Sequence, residues 1–232
     1  MFGSSSDNSA EQIGRSYPLQ RRIGTVCVFG GAMPGNDPDH AHGAAILGEA
    51  IATAGIRLVY GGGSDGLMGQ VAIAAAERGG TVIAITPQFL LERMRMLSSG
   101  CQTISVPDMS IRKQLMFDYA DAFIALPGGI GTIEELTEVM TLRKLERHCK
   151  PLVLANFKGY WSPLLGLFDS MAEAGFMSAS MRCMHLVSGG PETILPLLQR
   201  GVNFKQNETS KSVLLPTIPV LRRSHMSSAG PG

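Results

Sequence analysis

The stretch Phe123-Ile124-Ala125-Leu126-Pro127-Gly128-Gly129-Ile130-Gly131-Thr132-Ile133-Glu134-Glu135 passes from an apolar strand through a glycine turn into an acidic helix. Glycines at 128, 129 and 131 allow a tight turn and leave backbone N–H groups bare, and the helix that follows adds the positive end of its dipole. Such a turn attracts phosphate. Thr132 is placed to cap the helix, with Glu135 three residues further on at the spacing of a capping box. A carboxylate one turn inside a phosphate-binding helix is equally placed to reach a sugar attached to that phosphate. Both readings of Glu135 stand on the sequence.

Working outward, apolar runs at 24–29, 57–60, 81–85, 102–106, 121–126, 151–155 and 185–187 read as strands. Between and after them, helical spacing is expected over 37–54, from Gly69 to about Arg78, from Ile111 onward, and over 132–147, 160–174 and 192–198, with a short helix or lid segment from Pro87 to Met94. The alternation predicts an α/β protein, layered α/β/α around a mostly parallel sheet of about seven strands. Two more glycine turns follow the first two strands, Gly30-Gly31-Ala32-Met33-Pro34-Gly35 and Gly61-Gly62-Gly63-Ser64-Asp65-Gly66. Strand-to-helix turns of this kind are where open α/β sheets bind ligands. Neither fits the G-x-G-x-x-G spacing with a downstream acid, so a phosphate or ribose is expected rather than NAD.

Arg112 and Lys113 sit together near the start of a helix, where the dipole disfavours positive charge and a bound anion would offset the penalty. Met94 and Met96, beside Arg93 and Arg95, suit an amphipathic surface helix or a substrate contact equally. His40 and His42 have no carboxylate at zincin spacing, and no metal is expected. Cys27, Cys101, Cys149 and Cys183 are scattered without a C-x-x-C pair, which argues against zinc and a disulfide framework and suggests buried thiols.

Twenty basic against nineteen acidic side chains leave a formal charge of +1, so nothing electrostatic points to nucleic acid or an anionic membrane. The apolar runs are too short to span a bilayer, and the Ser-rich start lacks the apolar core of a signal peptide. A cytoplasmic protein is expected. Residues 1–20 read as a disordered leader, 21–204 as a single domain, and 205–232, ending Ser227-Ser228-Ala229-Gly230-Pro231-Gly232, as a disordered tail.

Three motifs in order, Tyr60-Gly61-Gly62-Gly63 with Gly66-Leu67-Met68-Gly69, then Met109-x-x-Arg112-Lys113, then Pro127-Gly128-Gly129-x-Gly131-Thr132-x-x-Glu135, resemble the Lonely Guy family of phosphoribohydrolases over residues 24–200. Many members carry the label "possible lysine decarboxylase", which implies pyridoxal phosphate, but nothing in the sequence points to its Schiff-base lysine. The resemblance implies a Rossmann-like homodimer, without cofactor, that hydrolyses the N-glycosidic bond of a purine nucleoside 5′-monophosphate, AMP or a cytokinin nucleotide. It further implies Arg112 and Glu135 as the catalytic pair. Met94, Lys113, the segment Gly128, Gly129, Ile130, Gly131, Thr132, Ile133 and Glu134, and Thr141 would bind substrate. The chain departs from the family pattern at Met94, at Gly30-Gly31-Ala32-Met33, at Ile130 and at His40, positions that bear on substrate choice more than on chemistry. The alternative is a carrier that uses the same phosphate cradle to hold a nucleotide or cofactor without hydrolysis.

Overall fold

A computed structural model describes residues 22–97, 99–178, 181 and 184–209, with the side chains of the last helix described to 202. Strands β1 (Thr25–Phe29), β2 (Arg57–Tyr60), β3 (Val82–Pro87), β4 (Cys101–Val106), β5 (Ala122–Ala125), β6 (Leu152–Ala155) and β7 (Leu186–Ser188) form one sheet in the order β4-β3-β2-β1-β5-β6-β7. Every pairing is parallel. Helices α1 (Pro38–Thr53), α2 (Gly66–Glu77), the short α3 (Gln88–Leu91), α4 (Met109–Tyr119), α5 (Ile130–Lys144), α6 (Ser162–Glu173) and α7 (Pro191–Thr209) supply the connections.

Side chains alternate across the sheet because the strand period is two, and each face builds its own core. Val26, Val28, Leu58 and Tyr60 join α1, α2 and α7 through Leu47, Ile51, Val71, Ile194 and Leu198. Cys27, Phe29, Val59, Phe123 and Leu152 join α4, α5 and α6 through Met116, Leu136, Met140 and Phe168. The result is the three-layer α/β/α arrangement. Each fully buried Leu, Ile or Phe contributes roughly 1.5–3 kcal/mol by leaving water.

The strand order determines where a ligand can enter. From β1 the chain winds outward through β2 and β3 to β4, then returns through α4 to β5 on the other side of β1. The connections leaving β1 and β5 therefore part in opposite directions and open a crevice between them.

Several boundaries differ from the sequence reading. α5 begins at Ile130 rather than Thr132, because Gly129 and not Thr132 is the residue at its N-cap. α7 continues to Thr209, past the point where a tail was expected, while the proposed leader 1–20 and residues 210–232 lie outside the described residues. Of the cysteines expected to be buried, only Cys27 is; Cys101 is half-buried, Cys149 exposed, and Cys183 lies outside the described residues.

Candidate active site

Two turns that are nearly a hundred residues apart meet at the crevice. The Gly31 N–H donates to the Pro127 carbonyl at 2.9 Å, and the Leu67 N–H at the start of α2 donates to the Gly31 carbonyl at 2.9 Å. The turn after β1 is thus clasped between the turn after β5 and the first turn of α2. Together they wall a cleft of about 460 Å³, a volume suited to a ligand of nucleotide size.

At one end of this cleft stands the N-terminus of α5. No side chain caps it, so the N–H groups of Ile130, Gly131 and Thr132 keep no intrahelical acceptor. The capping-box reading of Thr132 and Glu135 is therefore corrected: Thr132 is the third residue of the helix, buried, and Glu135 is turned elsewhere. The glycines also serve differently than expected, since 128, 129 and 131 do not adopt positive φ. A Cβ on Gly128 would lie 2.1 Å from Thr132 Oγ1 and 2.8 Å from the Gly31 nitrogen, whereas at Gly129 and Gly131 it would meet open space. Gly128 permits a close approach, and Gly129 and Gly131 leave the cleft clear.

Across the floor, Arg112 and Glu135 face one another. Asp108 caps α4 by accepting from the Ile111 N–H at 2.9 Å, which sets Arg112 at the end of the first turn, pointing under the β2 exit. The side chain is only 8% exposed, its Nη2 lies 4.0 Å from Glu135 Oε1, and its Nη1 donates to Met109 Sδ at 3.5 Å. Its Nε is buried without an acceptor. A 4.0 Å separation is too long for a hydrogen bond, so the guanidinium keeps donors to offer a bound anion or hydroxyl. Burial pushes the Glu135 carboxyl up to about 7, with the Arg112 charge opposing the rise and Glu134 adding to it. Such a carboxyl is poised to exchange a proton near neutrality.

The other residues assigned by motif divide. Gly128, Gly129, Gly131, Thr132 and Glu134 line the cleft with Arg112 and Glu135. Lys113 does not; its ammonium is engaged by Glu134 at 2.5 Å and Glu138 at 3.1 Å. There it borders a separate cavity of about 70 Å³ that reaches the back of Glu135. Ile130 is 83% exposed, Ile133 packs against the core beneath α5, and Thr141 is exposed roughly 13 Å down that helix from Thr132. Met94 lies over Gly63, outside the cleft lining.

The Gly61-Gly62-Gly63 turn is likewise corrected as a ligand cradle. A Cβ on Gly61 would fall 1.8 Å from Arg112 Nη2, one on Gly62 2.1 Å from Thr86 Oγ1, and one on Gly63 2.8 Å from Met94 Cε. Protein side chains already fill the space. The cleft in turn includes Leu67, Met68, Met109 and Tyr160, none of which was expected to bind substrate, and His40, which was expected to bear on substrate choice. His40 follows the glycine turn of β1, so its position was legible there; Tyr160 lies in no motif, and only the fold brings it to the site.

A parallel sheet with an uncapped helix start, a buried arginine and a near-neutral carboxyl facing one cleft at its switch point defines a Rossmann-like α/β protein. A molybdenum cofactor carrier protein of Chlamydomonas reinhardtii shares this fold at a TM-score of 0.59 and 23% identity, over 78% of this chain and 99% of that one. The family model described as "Possible lysine decarboxylase" matches residues 68–198, and the chain belongs to that family, the Lonely Guy family of the sequence motifs. It is 42% identical over 185 residues to a probable cytokinin riboside 5′-monophosphate phosphoribohydrolase, LOGL1, of Oryza sativa subsp. japonica, covering 80% of this chain and 82% of the relative. It is 36% identical over 213 residues to cytokinin riboside 5′-monophosphate phosphoribohydrolase LOG1 of Arabidopsis thaliana, covering 88% and 99%. The decarboxylase description implies pyridoxal phosphate, which needs a lysine to hold it, and no lysine lines the cleft among the described residues. The residues do not fit that group.

Proposed function

We propose that this protein hydrolyses the N-glycosidic bond of a purine nucleoside 5′-monophosphate, AMP or a cytokinin riboside 5′-monophosphate, releasing the free base and ribose 5-phosphate. The observation that carries the reading is the buried Arg112–Glu135 pair, which faces the same cleft as the uncapped start of α5. The bare N–H groups and the helix dipole hold the 5′-phosphate. The ribose then lies over the carboxyl, and this remote binding energy fixes the anomeric carbon against Glu135.

Departure of the base leaves positive charge on the sugar, and the largely buried Glu135 carboxylate stabilises it at close range. As its carboxyl titrates near 7, Glu135 also accepts one proton of the attacking water, so that oxygen bonds to the anomeric carbon while the base leaves with the bond electrons and takes a proton from solvent, to which Glu135 then returns its own. Arg112 orients the carboxylate and donates to ribose hydroxyls or phosphate through its planar fork, a geometry lysine lacks.

The test is incubation of the protein with a panel of nucleoside monophosphates, following base and ribose 5-phosphate by chromatography. Glu135→Gln lowers turnover by roughly 10²–10⁴-fold, the scale of a lost general base. Arg112→Lys also lowers it. Release that is indifferent to Glu135 overturns the assignment, and binding without any release leaves the carrier reading. A homodimer and cytosolic residence belong to the same proposal; sedimentation at micromolar concentration and subcellular fractionation check them. No helix among the described residues is long and apolar enough to cross a membrane.

A further inference from the structure

The segment between β6 and α6 is tied down at every step. Phe157 packs where a Cβ on Gly43 of α1 would stand, 2.8 Å from its ring. Lys158 pairs with Asp37, the α1 cap, at 3.0 Å and with Asp39. The Trp161 N–H donates to Asn156 Oδ1 at 2.6 Å, and its indole Nε1 donates to the Ala125 carbonyl at 3.2 Å. Between these anchors, Tyr160 stands edge-on to both His40 and Trp161, with ring centroids 5.6 and 5.0 Å apart. Its hydroxyl donates to the Gly128 carbonyl at 2.6 Å.

That carbonyl belongs to the peptide joining Gly128 to Gly129. A peptide flanked by two glycines rotates with little steric resistance, because neither neighbour carries a Cβ to restrict φ and ψ. In a trans peptide the N–H points away from the C=O, so whatever holds the carbonyl also aims the N–H of Gly129. The preceding carbonyl, Pro127, is held from the other side by Gly31. We propose that Tyr160 is a positioning residue for the anion turn: its hydroxyl locks the Gly128–Gly129 peptide in the orientation that receives a phosphoryl group, and His40 backs its ring. This rests on the phosphate-turn reading above, and it adds a residue from a segment outside every motif.

Removing the hydroxyl alone, by Tyr160→Phe, keeps the ring and its packing. Calorimetry with ribose 5-phosphate, with inorganic phosphate and with phosphate-free adenosine reads the effect without any turnover. Affinity for both phosphate-bearing ligands falls about 5- to 10-fold, the weight of one hydrogen bond, while that for adenosine is unchanged. With a nucleoside monophosphate that the protein hydrolyses, KM rises by a similar factor and kcat changes less than about twofold, because the tether acts equally on bound substrate and transition state. Equal losses for phosphate-bearing and phosphate-free ligands mean general loosening and overturn the inference, as does no loss at all. Wild-type protein that binds no phosphate-bearing ligand overturns the functional reading and the inference with it; tight binding unaffected by Tyr160→Phe overturns the inference alone.

Discussion

The turns after β2 and β5 look alike as strings of glycine, yet one is filled and the other open. At Gly61, Gly62 and Gly63 a Cβ would strike Arg112, Thr86 and Met94, whereas at Gly129 and Gly131, which line the cleft, it would meet no atom within 4 Å. Gly62 and Gly63 also have φ of 91° and 83°, a backbone state the turn after β5 does not use. Both turns serve one site by opposite means. On the proposed function, the open turn leaves room for the ligand, and the filled turn leaves room for the side chain that meets it.

If this contrast is right, a methyl group should have different consequences at each glycine. Among the glycines, the largest effect on activity is expected at Gly61→Ala, whose new Cβ displaces the Arg112 guanidinium. A shift of about 1 Å in such a group costs roughly 100-fold in kcat/KM, and because the side chain is long enough to swing aside, Tm should move little. Activity close to wild type would break the comparison by showing that Arg112 need not lie under Gly61.

Gly62→Ala should act on the fold instead. The positive φ and the contact with the buried Thr86 together cost roughly 3 kcal/mol, or about 6–12 °C in Tm for a domain of this size, read by thermal denaturation. Gly131→Ala is the counterpart in the open turn. Alanine is the better helix former by up to ~1 kcal/mol, so Tm should rise slightly, while KM for a nucleotide should increase about tenfold as the methyl group narrows the phosphate end of the cleft. A variant with both quantities unchanged would show that the ligand does not approach α5 there.

The smallest expected effect sharpens the comparison at Glu135, the residue that both turns serve. Its carboxyl is raised from 4.5 to about 7 in the folded chain, chiefly by burial. A raised carboxyl favours its neutral form, so the fold is most stable below the unfolded value and loses that stability as pH climbs from about 4.5 through 7. Glu135→Gln escapes the loss, and the Tm of the variant minus that of wild type should grow by a few degrees between pH 4 and pH 8. Activity runs the other way: wild-type kcat/KM should rise with pH and level off above about 7, where Glu135 is the carboxylate that the proposed mechanism requires. A profile that falls through this region would assign Glu135 the opposite role, as a proton donor.

Continuous apolar runs and helical spacing placed all seven strands and most helices within a few residues, because these patterns are set by local backbone geometry and by which residues must leave water. The glycine turn after β5 could be read for the same reason, since a strand, a turn and a helix start are contiguous in the chain, whereas the pairing of Arg112 with Glu135, on separate helices, was implied only by the family resemblance. Thr132 as a cap was misread because helix starts depend on contacts beyond the turn, here the burial of Thr132 over Gly128.

What remained hidden in the sequence were relations between distant segments. Strand order sets residue 31 against 127, carries Arg112 from the edge of the sheet to the end of β2, and brings Tyr160 to Gly128, none of which has a local signature. The titration of Glu135 is of the same kind, since desolvation is the sum of everything packed around a carboxyl. By itself the sequence determined the elements and their chemistry; only the tertiary structure decided which glycines border open space and which face the protein, because that depends on what the rest of the chain puts in front of them.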